Sequence, residues 1–176
     1  MLNKLLLEGE RLSLTLERLA LQLAEDPAEL DTLCLVGLQP RGVHVSDRIH
    51  SMLERICQRT IPYGKLDITF FRDDVRGRGD SLRANQTDIQ FITEGKRIVL
   101  IDDVLFTGRS VRAALDALNA FGRPAKVELL VLVQRRYTQE LPVAPTYIGL
   151  EVDSVHQQKV IVDWAGQGAV YLVEPK

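Results

Sequence analysis

The chain has 176 residues, 45% of them hydrophobic and 26% charged, with a formal net charge of -2. That is enough chain for one domain around a real core, and the balance excludes a disordered or globally basic protein. Any nucleic-acid binding therefore has to come from a local basic face. Cys34 and Cys57 lie in apolar surroundings without ligand spacing and read as buried thiols, not a zinc site or a disulfide. The N-terminus lacks a signal-like pattern and no apolar run is long enough to span a bilayer. The cytoplasm is the expected compartment, with no membrane partner.

Leu12, Leu16, Leu19, Ala20 and Leu23 recur at helical spacing and predict a helix over residues 5–23, ended by Pro27 after a polar connection. Residues 33–38 (L-C-L-V-G-L) predict a buried strand that runs into Gln39-Pro40-Arg41-Gly42. Arg41 is placed to meet an anion in that loop, and Gly42 permits a tight turn. A helix is expected over residues 43–58. On it Arg48, Arg55 and Arg59 share a face with Met52, while Ile49, Leu53 and Ile56 point inward. Such a stripe suits a nucleic-acid backbone, or a solvated face with local ion pairs.

Pro62-Tyr63-Gly64 marks a turn and residues 66–71 a strand, ending in Phe71-Arg72-Asp73-Asp74. The long polar stretch over residues 75–87, with Arg76 and Arg78, reads as a lid whose guanidinium groups suit a polyphosphate. Then comes the run from Ile98 to Ser110, I-V-L-I-D-D-V-L-F-T-G-R-S. It predicts a buried parallel strand, two carboxylates at its tip (Asp102 and Asp103), a hydroxyl-rich loop and a helix over residues 111–118. Val111, Ala114, Leu115 and Leu118 are expected on the buried side of that helix. Backbone N–H groups at a helix start receive phosphate, aided by the macrodipole. Gly108 lets the backbone approach closely, and Thr107 and Ser110 add donors. The two acids repel phosphate and so face sugar hydroxyls or a divalent cation. A phosphorylated sugar is the expected ligand.

Gly122 and Pro124 end that helix, and residues 126–133 form a strongly apolar strand that completes a right-handed crossover. Gln134-Arg135-Arg136-Tyr137 emerges at its end, followed by a proline-marked loop over residues 138–145. Strands follow at residues 147–152, 160–162 and 169–173, the last two flanking a turn at Trp164 to Gly168. His44, His50 and His156 do not form a metal cluster.

The run from Ile98 to Ser110 closely resembles the ribose-phosphate motif of type I phosphoribosyltransferases. The resemblance implies a single α/β domain over residues 1–176: a mostly parallel twisted sheet flanked by helices, with a small hood and a flexible lid loop. It implies that Asp102 and Asp103 hold the ribose hydroxyls of 5-phosphoribosyl 1-pyrophosphate (PRPP) and that Thr107, Gly108, Arg109 and Ser110 hold its 5-phosphate. Arg41 and Gly42 would lie on the pyrophosphate loop, which in that family often contains a cis peptide. Arg72, with Arg76 or Arg78 of the lid, would stabilise the departing pyrophosphate.

Further stretches narrow the resemblance. Leu35-Val36-Gly37 through Arg41-Gly42, Leu66-Asp67-Ile68-Thr69 with Phe71-Arg72-Asp73-Asp74, the extension Val111-Arg112-Ala113, and Glu140-Leu141-Pro142 with Tyr147-Ile148-Gly149 resemble the PyrR family. Its members are pyrimidine-operon attenuation regulators with uracil phosphoribosyltransferase activity. The resemblance implies uracil, PRPP and Mg²⁺ as substrates and cofactor, with Asp103 at the metal. It also implies UMP or UTP as controlling nucleotide, leader mRNA as a partner, and a homodimer or higher oligomer. One stretch departs. The family commonly has Asp-Arg-Gly-His-Arg where this chain has Gln134-Arg135-Arg136-Tyr137-Thr138. Arg135 keeps its position; the other four differ on what is expected to be the base-side wall. Two alternatives stay open: an RNA-binding attenuator with nucleotide sensing and little transferase activity, and a phosphoribosyltransferase for another base.

Overall fold

The computed structural model describes residues 3–73 and 85–174. Its centre is a five-stranded, wholly parallel sheet in the order β3-β2-β4-β5-β6, built from β2 (Leu33–Gln39), β3 (Tyr63–Asp67), β4 (Arg97–Leu105), β5 (Lys126–Arg136) and β6 (Tyr147–Asp153). Successive strand residues point to opposite faces, and here both faces are covered. Leu33, Leu35, Val99, Ile101, Leu130 and Leu132 pack under α1 (Gly9–Leu23) and α2 (Gly42–Cys57). Cys34, Val36, Ile98, Leu100, Leu129 and Val131 pack under α3 (Arg109–Leu118). Two-sided burial is why the strands read as unbroken apolar runs. All the helix starts that follow β2 and β4 therefore sit at the sheet's carboxyl edge.

A second sheet of three antiparallel strands, β1-β8-β7, forms the hood: β1 (Asn3–Glu8), β7 (Lys159–Asp163) and β8 (Ala169–Val173). This corrects the N-terminal expectation. The helix begins at Gly9, and the residues before it form β1, paired with β8. Gly9 takes a positive φ of 48° at the corner, its N–H donating to the Gly168 carbonyl. The pairing is non-local, so helical spacing could not reveal it.

Other boundaries also shift. Tyr63 and Gly64 lie inside β3, which ends at Asp67. There the Asp67 carboxylate accepts from the Thr69 N–H at 2.9 Å and its hydroxyl at 2.6 Å, turning the chain into a 3-10 turn over Thr69–Phe71. On α3, Ala113 and Ala117 are buried and Leu115 is 40% exposed, so the apolar face is rotated from the expected one. Small alanines let α3 approach the sheet closely. At the opposite edge, buried Arg97 pairs with Glu128 at 2.6 Å and donates to the Tyr147 hydroxyl at 2.6 Å. Among the described residues no helix is long and apolar enough to cross a membrane.

Candidate active site

The carboxyl edge of the sheet and the hood enclose a cavity of about 770 Å³. The ends of β2 and β4 form its floor, and the segment from His156 to Ile161 its roof. A smaller pocket of about 350 Å³ adjoins it over the start of α3.

β4 extends through both acids to Leu105, so Asp102 and Asp103 are strand residues and not loop residues. Asp103 is only 8% exposed. Each carboxylate accepts from the next backbone N–H: Asp102 from Asp103 at 2.9 Å, Asp103 from Val104 at 2.8 Å. Burial pushes Asp102 well above the ordinary carboxylate range, and the neighbouring Asp103 charge adds to this; Arg72 opposes it. Burial also raises Asp103, against the Val104 N–H and the field of Arg41. The pair stores negative potential at the cavity floor. Among the described residues no group of three or more His, Cys, Asp or Glu side chains could hold a metal ion. Two adjacent carboxylates, Asp103 buried and Asp102 half-buried, fit a hard cation that draws its remaining oxygen ligands from a substrate and water.

α2 starts directly against this floor. A Cβ on Gly42 would lie 2.5 Å from the Ile101 carbonyl oxygen and 2.9 Å from the Asp102 Cα, so only glycine permits the contact. The preceding Gln39–Pro40 peptide is cis, and Arg41 lines the cavity.

The phosphate-ready loop is braced from behind. Gly108 takes a φ of 90° at the start of α3. The carbonyl of Thr107 accepts from the Glu140 N–H at 2.9 Å and from Leu141 at 3.2 Å. The Thr138 hydroxyl donates to the Phe106 carbonyl at 3.2 Å. With the carbonyls tied back, the N–H side of the loop faces the smaller pocket, as an anion requires. Ser110 and Arg72 line both cavities. The Arg109 guanidinium is engaged elsewhere: it donates to Glu140 at 2.9 and 2.7 Å and to Asp73 at 2.7 Å. Its backbone N–H donates to the Thr107 hydroxyl oxygen at 3.4 Å.

The base-side expectation needs correction. Strand alternation puts Arg135 on the cavity, buried, and Gln134 and Arg136 on the opposite side. Arg136 pairs with Asp153 at 2.6 Å, and Tyr137 is 82% exposed. Tyr137 also has a positive φ of 66°, so the backbone position suited to glycine is this one and not Arg136. Ile68, Phe106 and the hood residues His156, Lys159 and Ile161 complete the wall. Sequence reasoning missed them because nothing local marks a hood strand as a roof; the Glu140-Leu141 brace was visible only as a resemblance.

Arg76 and Arg78, and the lid up to residue 84, lie outside the described residues. Of the arginine stripe expected on this helix, Arg48 stacks over the Trp164 ring at 4.2 Å, while Arg59 lies beyond the end of α2 and pairs with Asp31 at 2.8 Å. Arg55 is exposed, and among the described residues no acid pairs with it.

A phosphoribosyl transferase domain model matches residues 4–165. The chain is 42% identical over 172 residues to a protein of Desulfosudis oleivorans named bifunctional protein PyrR, covering 96% of this chain and 95% of that one. A protein of the same name from Geobacter sulfurreducens is 44% identical over 147 residues, 84% of this chain and 82% of its own. Among solved structures, the hypoxanthine phosphoribosyltransferase of Trypanosoma cruzi in complex with IMP superposes with a TM-score of 0.75 at 14% identity, over 98% of this chain and 94% of that one. That likeness is one of fold.

Proposed function

The chain belongs to the PyrR family of phosphoribosyltransferase-domain proteins, and we propose that it converts uracil and PRPP to UMP and pyrophosphate. We also propose that it regulates pyrimidine genes by binding leader mRNA under the control of a uridine nucleotide. One observation carries the enzymatic reading. An acid pair, a braced phosphate loop and Arg41 open onto two adjoining cavities that share Asp102, Arg72 and Ser110. Ribose hydroxyls fall to Asp102 and Asp103. The 5-phosphate falls to the backbone N–H groups at Gly108, Arg109 and Ser110, with the hydroxyls of Thr107 and Ser110. Pyrophosphate falls to Arg41 and Arg72. Mg²⁺, held through Asp103, would make pyrophosphate a better leaving group.

The remaining work is positioning and electrostatics. The hood excludes water, and the acid pair holds the sugar so that a ring nitrogen of uracil meets C1. No covalent nucleophile is needed. The four departures from the family's Asp-Arg-Gly-His-Arg run, Gln134, Arg136, Tyr137 and Thr138, do not line the cavity. They therefore give no reason to expect a silent site.

Pure protein with PRPP, Mg²⁺ and each nucleobase should release pyrophosphate with uracil; no turnover with any pyrimidine would sink the enzymatic reading. For regulation, a pyrimidine leader stem-loop is titrated with and without UMP. Tighter binding with UMP, weakened by Arg55→Ala and steeply salt-dependent, is the expected result. Light scattering in solution should report a homodimer or larger assembly.

A further inference from the structure

The loop that carries Arg41, between β2 and α2, is held at both ends by different means. At the α2 end Gly42 lies against the Ile101 carbonyl and the Asp102 backbone. At the β2 end the anchor is a side chain. Gln39 is half-buried and lines the cavity, and its Nε2 donates to the Gln86 carbonyl at 2.9 Å. Pro40 and Arg41, between the two anchors, are exposed. Whatever fixes Gln39 therefore acts two residues from the guanidinium assigned to pyrophosphate.

Gln86 begins a short clasp, residues 86–88, laid along β3. The Asp67 N–H donates to the Thr87 hydroxyl oxygen at 3.0 Å. Lys65 and Asp88 exchange two backbone bonds, each of 2.8 Å, in an antiparallel bridge. A Cβ on Gly64 would lie 2.8 Å from the Asp88 carbonyl oxygen, so the clasp sits tight on the strand backbone. Among these bonds only the one from Gln39 leaves β3. Gln86 is exposed, so that bond competes with water and adds little to folding. Its effect is on local order, and it joins the clasp to the Arg41 loop.

We propose that Gln39 is a positioning residue that couples pyrophosphate binding at Arg41 to the order of the 86–88 clasp. It acts through the Gln86 carbonyl and does not touch the reacting atoms. An anion on Arg41 fixes the loop, the loop fixes the Gln39 side chain, and the amide holds the clasp against β3. Such coupling is reciprocal, so a docked clasp also tightens the loop on its anion. This rests on the transferase reading above.

Hydrogen exchange tests this at the Lys65, Asp67 and Asp88 amides, whose N–H groups make the clasp. In wild type, magnesium pyrophosphate should slow all three about tenfold. Ribose 5-phosphate, which fills only the acid pair and the phosphate loop, should leave them unchanged. In Gln39→Met, which keeps the length and removes the donor, pyrophosphate should no longer slow them. Equal slowing in the variant, no slowing in wild type, or equal slowing by ribose 5-phosphate overturns the proposal. Kinetics reads the reciprocal half. Gln39→Met should raise the KM for PRPP about 5-fold, the worth of one neutral hydrogen bond, and leave the KM for uracil unchanged. An equal rise in both overturns the proposal, because a merely structural role would not separate the two substrates. Should Gln39→Met fail to fold, Thr87→Val loosens the clasp from outside the cavity and should show the same split between the two KM values; no split overturns the proposal. If wild type makes no nucleotide from any base, the transferase reading fails, and exchange with magnesium pyrophosphate still judges Gln39.

Discussion

Asp102 and Asp103 hold charge where the fold would rather have none. Both carboxyls titrate above their ordinary value of 3.8 in the folded chain, chiefly because burial disfavours the ionised form. Between the unfolded and folded values the native state binds more protons than the unfolded one. Stability therefore falls as pH rises from about 3.8 through the folded values, and stays reduced above them. Asp102→Asn keeps an oxygen acceptor for the Asp103 N–H and removes the charge. Its thermal midpoint should rise above wild type at about pH 8 and match it near pH 4. Its turnover with PRPP and uracil should drop about 100-fold. Calorimetry across pH alongside a pyrophosphate assay checks both; a lower midpoint at pH 8 would mean that the charge is structural.

The loops that line the cavity are shaped by the elements packed against them. α2 meets β4 at Gly42, where a Cβ would strike the Ile101 carbonyl and the Asp102 backbone. Gly42→Ala should cost about 1–3 kcal/mol in denaturant unfolding, the usual price of overpacking, and should weaken PRPP by tilting the acid pair. The loop after β5 braces the phosphate loop through Glu140, whose carboxylate grips Arg109 at 2.7 Å. Glu140→Gln should raise the KM for PRPP several-fold and leave the KM for uracil unchanged; an equal rise in both would refute a brace confined to the phosphate half. These elements differ in how legible they were. The strand, acid pair and helix start of residues 98–110 could be read directly, because one local run holds both the hydrophobic pattern and the chemistry. The brace at Glu140 and the alternation that takes Gln134 and Arg136 off the cavity could not. Each depends on where a strand ends and which face it presents, and a one-residue change of frame reverses the face.

At the scale of the molecule, the question is whether hood and sheet are one body or two. The hood's Leu7, Val170 and Leu172 share a single apolar cluster with Leu12, Leu16 and Leu19 of α1 and with Ile101 and Leu132 of the sheet. A shared core predicts one cooperative transition. The chain's single tryptophan, Trp164, sits at the hood's turn beneath the Arg48 guanidinium at 4.2 Å and so reports on that lobe. Far-UV circular dichroism reports mainly on the sheet and helices. The two signals should coincide on unfolding. Arg48→Ala should lower stability by about 0.5–1 kcal/mol, the worth of a partly exposed cation–π contact, without separating them. Because His156 and Lys159 reach the cavity from this hood, the same variant should raise the KM for uracil more than that for PRPP. A fluorescence transition that precedes the dichroism change would make the hood an independently melting lobe, and base binding would then be coupled to its folding.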